Sequence, residues 1–210
     1  MITTEQIIAE HLLQINAIKL QPANPFTWAS GWKSPIYCDN RKTLSYPAIR
    51  KVIAQSFAHQ IKQLYPQAQV IAGVATGAIA VGVLAAEELN LPFIYVRSSS
   101  KAHGLTNMIE GYYEQGQQVV VIEDLISTGG SSLKAVEALR EAGCNVLGML
   151  AIFTYGFDTA MQNFVQAHCP LHTLSNYNAL ISLAIEKKYI TQEHLASLQE
   201  WRKNPEIWGK

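Results

Sequence analysis

An α/β fold, with a central, mainly parallel sheet flanked by helices, is the expectation for this sequence. Two observations lead to it. Short apolar runs at Gln69–Val74, Pro92–Val96, Gln118–Ile122 and Asn145–Phe153 alternate with stretches of helical spacing. The chain has 210 residues, 49% of them hydrophobic, enough for one sizeable core. Strands and helices in that alternation give a parallel sheet covered on both faces, with ligands at the carboxyl ends of the strands.

Each element follows in order. Thr3 with Gln6 resembles a capping box, and Ile7, Ile8, His11, Leu12 and Ile15 keep helical spacing, so a helix is predicted from residue 4 to about 20, ended by Pro22 and Pro25. Residues 26–41, FTWASGWKSPIYCDNR, mix aromatics, Gly31, Pro35 and basic groups, which predicts short strands and turns lying over the body. Residues about 1–45, with parts of the C-terminus, are therefore read as a small hood on a single domain spanning 1–210. Pro47–Leu64 reads as a helix, and Gln69–Val74 as a strand running through Ala75-Thr76-Gly77 into a helix that ends at Leu89. Pro92–Val96 is a second strand, 97–108 a polar loop, and about Gln118 to Ile122 a third strand. A helix over 131–142 closes at Gly143. A strand at Asn145–Phe153, a helix at Asp158–Ala167, a strand at Leu171–Leu174 and an amphipathic helical end complete the chain.

Composition removes some functions. Sixteen basic and sixteen acidic residues give a formal net charge of zero, so neither a nucleic-acid surface nor a polybasic membrane anchor is indicated. An anionic ligand must be held by a local cluster. Cys38, Cys144 and Cys169 are far apart with no Cys-x-x-Cys pair, which fits free thiols in a reducing cytosol. No apolar run is long enough for a membrane span, and MITTEQIIAEHLLQ is amphipathic rather than a signal peptide, so a cytoplasmic protein is expected. His11, His59 and His168 sit in helical patterns without a ligand set around them. Trp201 and Trp208 are read as packing for a terminal helix.

The chemistry gathers at VVVIEDLISTGGSS, residues 119–132. Gly129-Gly130, with Ser127, Thr128, Ser131 and Ser132, leads into a helix whose first N–H groups form a cup for a phosphate. A capped helix start with no ligand is the plainer reading of that half alone. Glu123 and Asp124 would repel a phosphate beside them, so they must serve another part of the ligand, such as sugar hydroxyls, which donate to carboxylates. A sugar phosphate satisfies both halves. The acids also suit hydrated Mg²⁺, a hard cation.

This stretch closely resembles the phosphoribosyl pyrophosphate signature of the type I phosphoribosyltransferases. The resemblance implies that fold, with Glu123 and Asp124 on the ribose hydroxyls and Leu125, Ile126, Ser127, Thr128, Gly129, Gly130 and Ser131 completing the substrate-binding run to the 5-phosphate. Arg97, Lys101, His103 and Gly104 reproduce the R-x-x-x-K-x-H-G spacing of the catalytic loop in the orotate phosphoribosyltransferases, and the likeness covers nearly the whole chain. It implies transfer of a phosphoribosyl group to orotate in pyrimidine nucleotide synthesis. Lys101 and His103 become the catalytic residues, Arg97 binds pyrophosphate, Ser127 holds orotate and Tyr37 stacks on the base. Mg²⁺ is bound mainly through pyrophosphate, with no direct protein ligand beyond Asp124 acting through water. A homodimer with shared sites is implied as well, the partners being the two substrates rather than nucleic acid or membrane. A purine-base transferase and a non-catalytic regulator that binds phosphoribosyl pyrophosphate are the alternatives. Several cations of well-known family members are missing at Ala29, Thr76, Ser98 and Tyr155, with Lys33, Arg41 and Lys42 as candidates to replace the one that meets the orotate carboxylate.

Overall fold

The computed structural model describes residues 2–28, 30–98 and 108–209. Helix α1 (Thr4–Gln14) opens with the expected capping box: Thr3 Oγ1 accepts from the Gln6 N–H, and Gln6 Oε1 accepts from the Thr3 N–H. It stops at Gln14, short of residue 20, because the backbone turns left-handed at Asn16, φ 54°, and Ile18–Leu20 becomes a strand, β1. Next come β2 (Phe26–Thr27), β3 (Lys33–Ser34) and β4 (Ile36–Cys38); β1 pairs antiparallel with β4, and β2 with β3. Helix α2 (Pro47–Leu64) has proline at its first position, where no N–H is needed.

The body then alternates: β5 (Val70–Val74), α3 (Ile79–Leu89), β6 (Phe93–Val96), β7 (Ile109–Glu110), β8 (Gln118–Ile126), α4 (Gly130–Glu141), β9 (Asn145–Thr154), α5 (Asp158–Gln166), β10 (Leu171–Asn176), α6 (Tyr177–Glu186) and α7 (Leu195–Lys203). Among the described residues the main sheet has the order β10-β9-β8-β5-β6-β7, parallel throughout except for β7 against β6. β7 has no signature of its own in the sequence. Its Ile109 finds a strand partner only in distant Val96.

Helices cover both faces, so the strands read as unbroken apolar runs. Val120 and Ile122 of β8 enter the core shared with α1, α2, α3, α6 and α7, while Val119, Val121 and Ile126 enter the core beneath α4 and α5. Helix α1 lies in the first core, packed against α6 and β10 through Ile8, Leu12 and Leu13. β8 itself runs four residues past the expected end at Ile122 and carries both acids on the strand. No described helix is long and apolar enough to cross a membrane.

Candidate active site

The site arises from unequal strand lengths. On one side, β8 is paired to β9 as far as Ile126, opposite Thr154. On the other side, pairing to β5 stops at Ile122, opposite Gly73. From Glu123 onward the β5 side of β8 is open, and a cleft of about 540 Å³ occupies that opening at the carboxyl edge of the sheet.

Glu123 and Asp124 share the cleft but not an environment. Glu123 is buried; its Oε2 accepts from Ser132 Oγ at 2.7 Å and its Oε1 from the Asp124 N–H at 2.9 Å. Burial, reinforced by the neighbouring Asp124 charge, pushes its carboxyl up to about 8. Asp124 is half-buried, and its carboxylate lies over Gly77 in the turn after β5, where a Cβ would overlap it. That close approach requires glycine. The Asp124 carbonyl accepts from Asn40 Nδ2 at 2.6 Å, and Asn40 is only 2% exposed.

The turn after β8 leads directly into α4. Gly129 caps the helix at φ 81°, a left-handed conformation, with Phe164 filling the place a side chain would take: Cε2 would stand 2.7 Å from a Cβ. Asn163 Nδ2 donates to the Thr128 carbonyl at 2.9 Å, and the Tyr155 N–H to the Ile126 carbonyl at 3.2 Å. These bonds hold the turn from below and leave the first N–H groups of α4 free of side-chain caps.

Of the residues singled out in the sequence, Arg97, Glu123, Asp124, Leu125 and Ser131 line the cleft. Ser127 and Thr128 are half-buried in the turn, Gly130 is exposed above it, and the side chain of Ile126 is buried in the core. Arg97, at the end of β6, pairs with Glu110 at 3.5 Å. Tyr37 is 43% exposed on β4, its ring 5.7 Å from Phe26. Lys101 and His103 lie outside the described residues, as do Gly104 and Ala29.

The cleft also takes in Cys38, Asp39, Arg41, Thr76, Ser98 and Lys134. Cys38 donates to Asn40 Oδ1 at 3.3 Å, and burial beside Asp124 and Asp39 pushes its thiol well up. Arg41 pairs with Asp39 at 2.7 Å and holds that carboxyl below its usual range. Lys33 and Lys42 are engaged elsewhere, with Thr27 Oγ1 at 2.9 Å and the Asn16 carbonyl at 3.2 Å, so of the three hood cations Arg41 is the one at the cleft. Tyr155 is buried between Trp28 and Trp201. Lys134 was legible in the sequence only as the residue one helical turn after Ser131.

A profile of the phosphoribosyl transferase domain matches residues 41–183. An orotate phosphoribosyltransferase from Bacteroides fragilis is 59% identical over 204 residues, covering 97% of this chain and 96% of the relative. The crystal structure of orotate phosphoribosyltransferase from Aeropyrum pernix aligns with a TM-score of 0.75 at 26% identity, over 87% of this chain and 99% of that one. The structure of Leishmania donovani UMP synthase aligns with a TM-score of 0.79 at 27% identity, over 94% of this chain and 42% of that longer one.

Proposed function

Because the chain belongs to the phosphoribosyl transferase family, we infer the reaction it runs: transfer of a phosphoribosyl group from phosphoribosyl pyrophosphate to N1 of orotate, giving orotidine 5-phosphate and pyrophosphate for pyrimidine nucleotide synthesis. The observation that carries this reading is the join at the end of β8, where a hydroxyl-seeking carboxylate on the strand and an anion-seeking helix start, separated by one short turn, flank one cleft.

In this reading Asp124, with Glu123 behind it, accepts from the ribose hydroxyls, and the turn from Thr128 to Ser131 receives the 5-phosphate. Arg97 faces the pyrophosphate, joined by Lys101 and His103. As the bond to pyrophosphate lengthens, the sugar becomes cation-like and the departing oxygen gains charge. In this reading the acids offset the charge on the sugar and the cations that on the leaving group. Among the described residues no three His, Cys, Asp or Glu side chains form a metal cage, but the cleft-facing oxygens of Asp124 suit a hydrated hard cation. Mg²⁺ carried on the pyrophosphate would supply charge neutralisation there. Ser127 and Tyr37 are assigned to the base, and Arg41 is the hood cation nearest to serve its carboxylate.

The reading includes a cytoplasmic homodimer in which the loop containing Lys101 and His103 completes the neighbouring subunit's site, with residues about 1–45 as the hood. What supports it is the resemblance of the spacing of Arg97, Lys101, His103 and Gly104 and of residues 26–41 to the family's loop and hood. The test is Mg²⁺-dependent consumption of orotate, followed by its ultraviolet absorbance, beside parallel assays with adenine, guanine and xanthine. Loss of orotate absorbance only when phosphoribosyl pyrophosphate is present is expected. Turnover of a purine base alone would overturn the choice of acceptor.

A further inference from the structure

Three cations line the described part of the cleft: Arg41, Arg97 and Lys134. Two are already engaged, Arg41 with Asp39 at 2.7 Å and Arg97 with Glu110 at 3.5 Å. Lys134 makes no hydrogen bond or ion pair among the described residues, although Glu137 stands one turn further along the same helix. An exposed lysine that lines the same cleft as Asp39, Glu123 and Asp124 and pairs with none of them is free to meet an anionic ligand.

Its position points it at the helix start. Ser131, Lys134 and Ala135 occupy one face of α4, and all three line the cleft. Helical side chains lean toward the N-terminus of their helix, so a lysine stem at this position can reach back past Ser131 toward the turn at Gly129 and Gly130. Three residues of helix rise about 4.5 Å, a distance a four-carbon stem covers. A Cβ built on Gly130 meets nothing within 4 Å, so the space above the first turn is open.

The charge balance there also asks for a cation. A phosphate at the start of α4 gains from backbone N–H groups and the helix dipole, worth only about half an elementary charge, while the Asp124 carboxylate stands on the preceding strand. We propose that Lys134 is a further substrate-binding residue, one that closes on the 5-phosphate of the sugar donor from the α4 side and offsets the repulsion of the Asp124 carboxylate. This rests on the sugar-phosphate reading of the cleft but assigns a residue outside the β8–α4 signature.

The experiment compares Lys134→Met and Lys134→Arg with the parent protein. Lys134 is exposed, so the melting temperature should not move. Lys134→Met should raise KM for phosphoribosyl pyrophosphate about tenfold, the scale of one charge-assisted contact, and leave KM for orotate within about twofold. Lys134→Arg should restore most of the loss. Ribose 5-phosphate and pyrophosphate, used as separate inhibitors, locate the contact. Inhibition by ribose 5-phosphate should weaken about tenfold in Lys134→Met, with inhibition by pyrophosphate unchanged. Equal weakening of both, weakening of pyrophosphate alone, or no change would overturn the proposal. Direct calorimetric binding of ribose 5-phosphate separates this outcome from the acceptor question: it tests Lys134 whatever base the enzyme uses, and a parent protein that binds none would defeat the proposal outright.

Discussion

Along β8 and α4 the backbone decides where each group points: the ladder to β9 carries Glu123 and Leu125 to the edge of the sheet, and the helix start aims its N–H groups at the same opening. In β1 to β4 the strands are two or three residues long, and rings fix their position instead. Trp28 stands 5.2 Å from Tyr155 and 5.7 Å from Trp201, and the Trp201 indole donates to the Lys33 carbonyl at 3.2 Å. Regular backbone gives the floor of the cleft a fixed geometry. The N-terminal segment takes its place from residues more than a hundred positions away in sequence.

The largest effect should come from disturbing the floor. In Gly77→Ala the added methyl overlaps the Asp124 carboxylate, and a displacement of about 1 Å there should cost about a hundredfold in kcat/KM with the fold retained, read by kinetics beside circular dichroism. Full activity would mean that Asp124 is not positioned by its contact with Gly77. For the N-terminal segment, Trp201→Ala removes a fully buried ring at the centre of the aromatic cluster, and should cost about 3–5 kcal/mol in denaturant unfolding. KM for orotate should rise more than KM for the sugar donor; a larger change in the donor would break the division between the two regions.

A smaller effect is expected from pH. The folded state holds the Glu123 proton more tightly than the unfolded chain, because its carboxyl is raised from 4.5 to about 8. Stability from this group is therefore fully present below about 4.5 and is lost as pH rises through about 8. Glu123→Gln should flatten the fall in melting temperature over that window while lowering turnover; an unchanged profile would show that Glu123 is not the group responsible. The smallest effect belongs to Gly130→Ala. With open space and helical backbone the change should leave stability equal or better by about 0.5 kcal/mol, yet raise KM for the donor by crowding the phosphate.

The same division explains what could be read in advance. The apolar run of β8 and the glycine turn into α4 are local patterns, visible in the sequence itself. The stop of α1 at Gln14 was not legible, because β1 exists through pairing of Ile18 with Cys38, a contact between distant positions. The extension of β8 through Glu123 and Asp124 was missed for a related reason: charged residues end a strand by propensity, but β9 pairs opposite Glu123 at Ala151 and carries the ladder on. The aromatic cluster joins Trp201 to three other parts of the chain, at Trp28, Tyr155 and Tyr177, so a terminal tryptophan gave no sign of its partners.

A gap in a parallel sheet is also an unpaired edge, and such edges invite another extended segment to dock. Here the Asp124 N–H is occupied by the Glu123 carboxylate and its carbonyl by the Asn40 amide, so the rim that admits a small ligand offers a passing polypeptide little to bind. The protein can keep its sheet open for chemistry without leaving it open to aggregation.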